Sequence, residues 1–138
     1  MGTDRDVQGI MVKSSLENKR ILILEDDPLL ALDLEDFFTE LGARVIGPVS
    51  SVEQALQAVS TGIDGAVLDL NLRGVYSYPV IEALAEAGTP LVVCSGYAEL
   101  PDTRTELTDI VLLPKPCDLK VLQARLAEQI TAAPQTTS

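Results

Sequence analysis

Apolar residues along the chain alternate between two patterns: short continuous runs, and positions three or four apart. In RILILE, at 20–25, the apolar residues are continuous, as in a strand buried on both faces. Asp27 followed by Pro28 reads as a helix N-cap and first helical position. Leu30, Leu34, Phe37 and Leu41 follow at helical spacing, and Gly42 ends that helix. ARVIG at 43–47 is a short second strand. Either Ser50 with Glu53 or Ser51 with Gln54 has capping-box spacing ahead of Val52, Ala55, Leu56 and Val59, and Gly62 closes the second helix. IDGAVLDL is a third strand whose apolar run ends on Asp69, NLRGVYSY is a loop, and PVIEALAEAG is a third helix with Val80, Ile81 and Leu84 inward. TPLVVCSGY and DIVLLPKP supply two more strands, and a last helix starts near Asp118 with Leu119, Leu122, Leu126 and Ile130 at core spacing. A helix is also expected within AELPDTRTELTD at 98–109. Pro101, three threonines and only Leu100 and Leu107 as anchors make it short or mobile.

Strand and helix therefore alternate five times. Buried-type strands with short connections call for an α/β domain: one parallel sheet, doubly wound, with helices on both faces and right-handed crossovers. The expected domain covers 19–131, between polar, aperiodic tails at 1–18 and 132–138. A hydrophobic content of 46% is enough to fill its core.

Charge narrows the function classes. Asp and Glu outnumber Lys and Arg 21 to 10, a formal net charge of −11. Such a surface repels phosphate backbones and anionic lipid, so neither nucleic acid nor membrane is an expected partner, whereas a bound cation is favoured. The chain has no His, which removes the commonest general base and the usual imidazole metal ligand. Cys94 and Cys117 fit neither a disulfide framework nor a zinc site and read as reduced thiols. The N-terminus has no apolar core of signal-peptide length and no stretch approaches a membrane span, so a cytoplasmic location is expected.

In an open parallel sheet, chemistry collects beyond the C-terminal ends of the strands. Those ends here carry Glu25, Asp26 and Asp27 on the first strand, Asp69 on the third, Ser95 on the fourth and Lys115 on the fifth. The second offers only Gly47–Pro48, which suits a sheet edge away from the site. Two carboxylates about 4 Å apart near a surface repel by roughly 4 kcal/mol at an effective dielectric near 20. Gathering several makes sense around Mg²⁺, which takes oxygen ligands and is often completed by a phosphate. A carboxylate there can attack phosphorus to give an acyl phosphate, with the lysine and hydroxyl stabilising the transferring group. No Gly-rich nucleotide loop is present, so bound ATP is not the expected donor.

From about Arg20 to Ile130 the chain resembles the receiver domain of two-component response regulators, through LILEDD, AVLDLNLRG, VVCSGYA and LPKP in order, each on its own strand. The resemblance implies a flavodoxin-like (βα)5 fold with strand order 2-1-3-4-5. It implies that Asp69 accepts the phosphoryl group, that Asp26 and Asp69 ligate Mg²⁺ (with Mn²⁺ as a substitute), that Asn71 adds its backbone carbonyl, and that Glu25 holds metal-bound water. Ser95 takes the place of the switch hydroxyl and Lys115 that of the lysine that pairs with the phosphoryl group. A cis Lys115–Pro116 bond is implied as well. Asn71 and Tyr97 hold positions that tune phosphoryl loss. The chain departs from the pattern at Leu112, where receivers usually carry Tyr or Phe, and at Arg73, which replaces the proline usually found before Gly74. VCSGY is similar to a stand-alone subset with Phe-Ala-Thr-Gly-Tyr at this place, matching it at Gly96 and Tyr97.

The implied protein is a single-domain response regulator, not an enzyme, with a sensor histidine kinase or histidine phosphotransferase as donor and an unidentified output protein. It would be a monomer or weak dimer that works through protein contacts. The donor is expected near the first helix and the output partner on the surface of the fourth helix and fifth strand. Two alternatives stand beside it: a receiver-fold binding module that signals without phosphorylation, and an aspartyl-phosphate phosphatase. Asn71 counts against the second, because such phosphatases usually have a second Asp at that place.

Overall fold

The computed structural model describes residues 15–96 and 110–132. Its elements are β1 (Arg20–Leu24), α1 (Pro28–Glu40), β2 (Arg44–Val49), α2 (Val52–Val59), β3 (Gly65–Asp69), β4 (Asn71–Leu72), β5 (Val75–Tyr76), α3 (Tyr78–Glu86), β6 (Leu91–Ser95), β7 (Val111–Pro114) and α4 (Leu119–Ala132). Five of the strands form one parallel sheet in the order β2-β1-β3-β6-β7, which is the expected 2-1-3-4-5 order of the flavodoxin-like fold. The helix expected at 98–109 lies outside the described residues. No helix among them is long and apolar enough to cross a membrane.

Alternation along the strands builds two cores, because successive side chains point to opposite faces. Leu22 and Leu24 pack with Ala55 of α2 and with Val80, Ile81 and Leu84 of α3. Ile21 and Ile23 pack with Leu34 and Phe38 of α1 and with Leu122 and Leu126 of α4. Phe38 is completely buried and meets Phe37 edge-on, ring centroids 5.3 Å apart. Phe38→Ala should cost about 3–5 kcal/mol in urea denaturation, a large fraction of a typical domain's stability.

Three local expectations change and one open choice is settled. In α1 the buried stripe is Ala31, Leu34 and Phe38, while Phe37 and Leu41 of the expected set pack half-buried against the same core. Both sets have helical spacing, and which one faces inward depends on how the helix sits on the sheet. Leu30 is left on the surface. In α2 the cap is Ser51 with Gln54: Gln54 N–H donates to Ser51 Oγ at 3.2 Å, and Gln54 Oε1 accepts from Ser50 N–H at 3.1 Å. Residues 71–76, expected as loop, form the two-stranded hairpin β4–β5. Finally, packed chain begins upstream of residue 19. Leu16 is fully buried in the α1/α4 core, and Asn18 N–H donates to Gly42 carbonyl at 2.8 Å.

Candidate functional site

Strand register brings the polar residues together. Leu24 pairs with Leu68 across β1 and β3, so the next residues, Glu25 and Asp69, emerge side by side. Asp69 pairs with Cys94 on β6, which places Ser95 beside it, and Ser95 pairs with Pro114 on β7, which places Lys115 next. The strands end at one rim and deliver their last side chains into one cleft of about 540 Å³. Glu25, Asp26, Asp69, Asn71, Ser95 and Lys115 all line it.

The ammonium of Lys115 lies 3.1 Å from Asp69 Oδ2 and 3.3 Å from Glu25 Oε1. The other Asp69 oxygen accepts the Asn71 backbone N–H at 3.2 Å, so the carboxylate is held from both sides. Glu25 Oε2 accepts the Asp27 N–H at 3.1 Å, and the Glu25 N–H donates to Val49 carbonyl at 3.0 Å. Asp26, less buried, pairs with Arg73 Nε at 3.1 Å. Ligand oxygens of Glu25, Asp26 and Asp69 lie within 4.8 Å of one another. All three donors are hard carboxylate oxygens with no sulfur or imidazole among them, a set that fits Mg²⁺ or another small hard cation.

Burial governs the charge states. It raises Asp69 above the ordinary carboxylate range, against hydrogen bonding and attraction from Lys115 and the Asn71 N–H, while Asp26 pushes the same way as burial. Glu25 is raised for the same first reason, with the Asp27 N–H opposing and Asp69 adding to the rise. For Lys115 burial works against the charged form, but hydrogen bonding and attraction from Asp69, then Glu25, outweigh it and raise the ammonium. The pair Glu25–Asp69 is therefore a site whose negative charge lacks full compensation from solvent, a condition a divalent cation relieves.

The expected residues fall in three groups. Glu25, Asp26, Asn71, Asp69, Ser95 and Lys115 converge. Asp27 borders the cleft but stays out of the carboxylate cluster: it is the exposed cap of α1, its Oδ1 accepting the Leu29 N–H at 2.9 Å. Leu112 sits on β7, half-buried against the α2/α3 core and away from the cleft, and Tyr97 lies outside the described residues. The Lys115–Pro116 bond is cis, as is Gly47–Pro48.

Two participants were not legible beforehand. Ser77, fully buried at the start of α3, does not cap that helix. Its hydroxyl donates to the Asp69 carbonyl at 2.9 Å and tethers the end of β3. Arg73 closes on Asp26, a contact that only the hairpin creates. The cysteines also need correcting. Rather than two reduced thiols, Cys94 and Cys117 are joined as a disulfide, Cα atoms 6.6 Å apart. They are 23 residues apart in sequence, and spacing alone could not show that the turn after β7 returns beside β6.

No family model matches the chain. The transcriptional activator protein PfeR of Pseudomonas aeruginosa is 32% identical over 114 residues, covering 80% of this chain, and the chain spans 37% of that relative's length. A response regulator receiver protein from Sinorhizobium medicae WSM419 superposes with a TM-score of 0.74 at 30% identity, covering 85% of this chain and 98% of that one. SdrG from Sphingomonas melonis Fr1 gives 0.69 at 38% identity, covering 86% and 99%. With an acidic cluster, a hydroxyl and a lysine at the rim of a 2-1-3-4-5 sheet, and identity at that level over nearly the full length of a known receiver, the chain belongs to the response regulator receiver family.

Proposed function

We propose that the protein accepts a phosphoryl group on Asp69 from a phosphohistidine donor and signals through protein–protein contacts. The observation that carries this reading is the setting of Asp69: one oxygen on the Lys115 ammonium at 3.1 Å, the other on a backbone N–H, with Glu25 and Asp26 alongside. Asp26 and Asp69, the Asn71 carbonyl and, through water, Glu25 would hold the metal. When bound, Mg²⁺ supplies positive charge to the phosphoryl oxygens.

The chain's own residues do the rest. The ionised Asp69 carboxylate attacks phosphorus. An O–P bond forms as the N–P bond to the donor imidazole breaks, and that bond's electron pair stays on the imidazole. Lys115, already on Asp69, follows the transferred charge onto the phosphoryl oxygens, and the Ser95 hydroxyl at the neighbouring strand end adds a hydrogen bond. Ser77 keeps the end of β3 in place meanwhile.

The donor, a sensor histidine kinase or histidine phosphotransferase, would dock on α1. There Leu29 is 73% and Leu32 51% exposed beside the cleft. Leu30, Leu34, Pro116 and Leu119 line an apolar recess of about 430 Å³ next to it. A cytoplasmic location follows from such a donor. Of the expected output face, the helix at 98–109 lies outside the described residues and the fifth strand is β7. Leu112 favours a second reading, a receiver-fold module that signals without phosphorylation, because no aromatic side chain stands at that place on β7.

Incubation with Mg²⁺ and acetyl phosphate should add the mass of one phosphoryl group, with Asp69 the modified residue by tandem mass spectrometry. Chelation of the metal with EDTA should abolish the adduct. No adduct from acetyl phosphate or from a phosphorylated histidine donor would leave the second reading in possession. Steady hydrolysis of small phosphate esters over many turnovers would point instead to a phosphatase.

A further inference from the structure

Arg73 is placed by a specific turn. Asn71 pairs with Tyr76 and Leu72 with Val75, which leaves Arg73 and Gly74 as a two-residue hairpin loop. Both take positive φ, 57° and 95°, the geometry of a primed turn. The left-handed region disfavours a residue with a Cβ, and a proline, held near −65°, could not enter it at all. The Asn71 side chain locks the turn by accepting the Gly74 N–H at 2.6 Å. An arginine in this conformation points to a use for its side chain, and its Nε meets Asp26 Oδ2 at 3.1 Å.

We propose that Arg73 is a displaceable occupant of the cation site: its guanidinium closes on Asp26, and a divalent cation must push it out to bind. The proposal rests on the metal-binding reading given above. Charge supports the exchange. Three carboxylates, Glu25, Asp26 and Asp69, face two cations, Lys115 and Arg73. A divalent ion that releases Arg73 leaves the cleft balanced, whereas one that shares the cleft with Arg73 leaves it with excess positive charge and sets the guanidinium against the metal. Exposure supports it too. The Arg73 side chain is 78% exposed and Asp26 16%, so the guanidinium can leave into water with little solvation to recover. A pair of this kind is weak, and a divalent ion with oxygen ligands outcompetes it. Arg73 thereby sets the metal concentration at which the site fills.

The test uses the full chain and Mg²⁺ alone. Arg73→Asn removes the cation and leaves Asn-Gly, the pair that primed turns favour, so the hairpin is kept. Calorimetric titration should show the variant binding Mg²⁺ about two- to fivefold tighter than the parent. In ¹⁵N spectra of the parent, the Arg73 Nε–H signal should move to its solvent-exposed position as Mg²⁺ is added, a change that a general charge effect would not produce. Binding by the variant alone would also support displacement. Equal affinities, or an Arg73 Nε–H signal indifferent to Mg²⁺, would overturn the proposal and leave the metal-binding reading standing. Absence of Mg²⁺ binding in both proteins would remove both.

Discussion

Asp69→Asn is expected to take up no phosphoryl group and, without metal, to unfold later than the parent protein. Both effects come from the same burial. The carboxylate is 6% exposed and its pKa is raised, first by burial, with Lys115 and the Asn71 N–H only partly offsetting it. A raised carboxyl contributes stability that is complete below the ordinary carboxylate range and is lost as pH rises through the folded value. As pH rises above the ordinary carboxylate range the parent loses that contribution, whereas an amide has no charge to bury. The variant should gain roughly 0.5–2 kcal/mol in urea denaturation at pH 7, the usual size of a stabilising substitution at a functional site. The gain should vanish below the ordinary carboxylate range, where Asp69 is protonated in both states. Incubation with Mg²⁺ and acetyl phosphate should leave the variant's mass unchanged, because an amide does not displace the donor. An Asp69→Asn protein that still gained a phosphoryl group would place the acceptor elsewhere, and one destabilised at pH 7 would contradict the burial argument.

Lys115→Met should act in the opposite direction. Its side chain is 25% exposed and bridges Glu25 and Asp69, at 4% and 6%. Methionine keeps most of the apolar stem and removes the ammonium, leaving two buried carboxylates without their shared cation. Removing one partner of a buried pair typically costs about 3–5 kcal/mol. The deficit should depend on pH. Without the ammonium the carboxyls rise further, so the variant loses more stability than the parent as pH climbs from the acid range to neutrality, and little at pH values where both are protonated. Lys115 itself is raised, so in the parent its contribution persists at neutral pH and is lost only as pH rises through its folded value. Added Mg²⁺ should recover part of the loss in the variant by replacing the missing charge. A deficit independent of pH would mean that the stem's packing, not the charge, is what matters at this position.

Much of the site was legible because the chain writes it at strand ends. An apolar run that stops on Asp69, and another that stops on Glu25, mark where buried backbone meets solvent, and a parallel sheet must bring those points to one rim. Element order was legible for the same reason, since strand and helix differ in period. What escaped reading had no period or had two. The strands of the β4–β5 hairpin have two residues each, too few to show alternation. Helix α1 carries two adjacent apolar stripes, and only its seat on the sheet buries Ala31 and Phe38 and leaves Leu30 out. Leu16 is a single apolar residue in a polar stretch, yet it fills the core beside α1 and α4.

Local patterning by itself determined the strand–helix alternation, the cap at Asp27, the acidic rim and the lysine between two prolines, because each depends on neighbours in the chain and on the bare need to bury apolar side chains. The tertiary structure alone decided which charges meet. Lys115 chooses Asp69 and Glu25, Arg73 chooses Asp26, Ser77 turns from its helix to the end of β3, and Cys94 finds Cys117. Most of those contacts join residues far apart in sequence, and their geometry comes from strand register and turn conformation, which no single segment specifies.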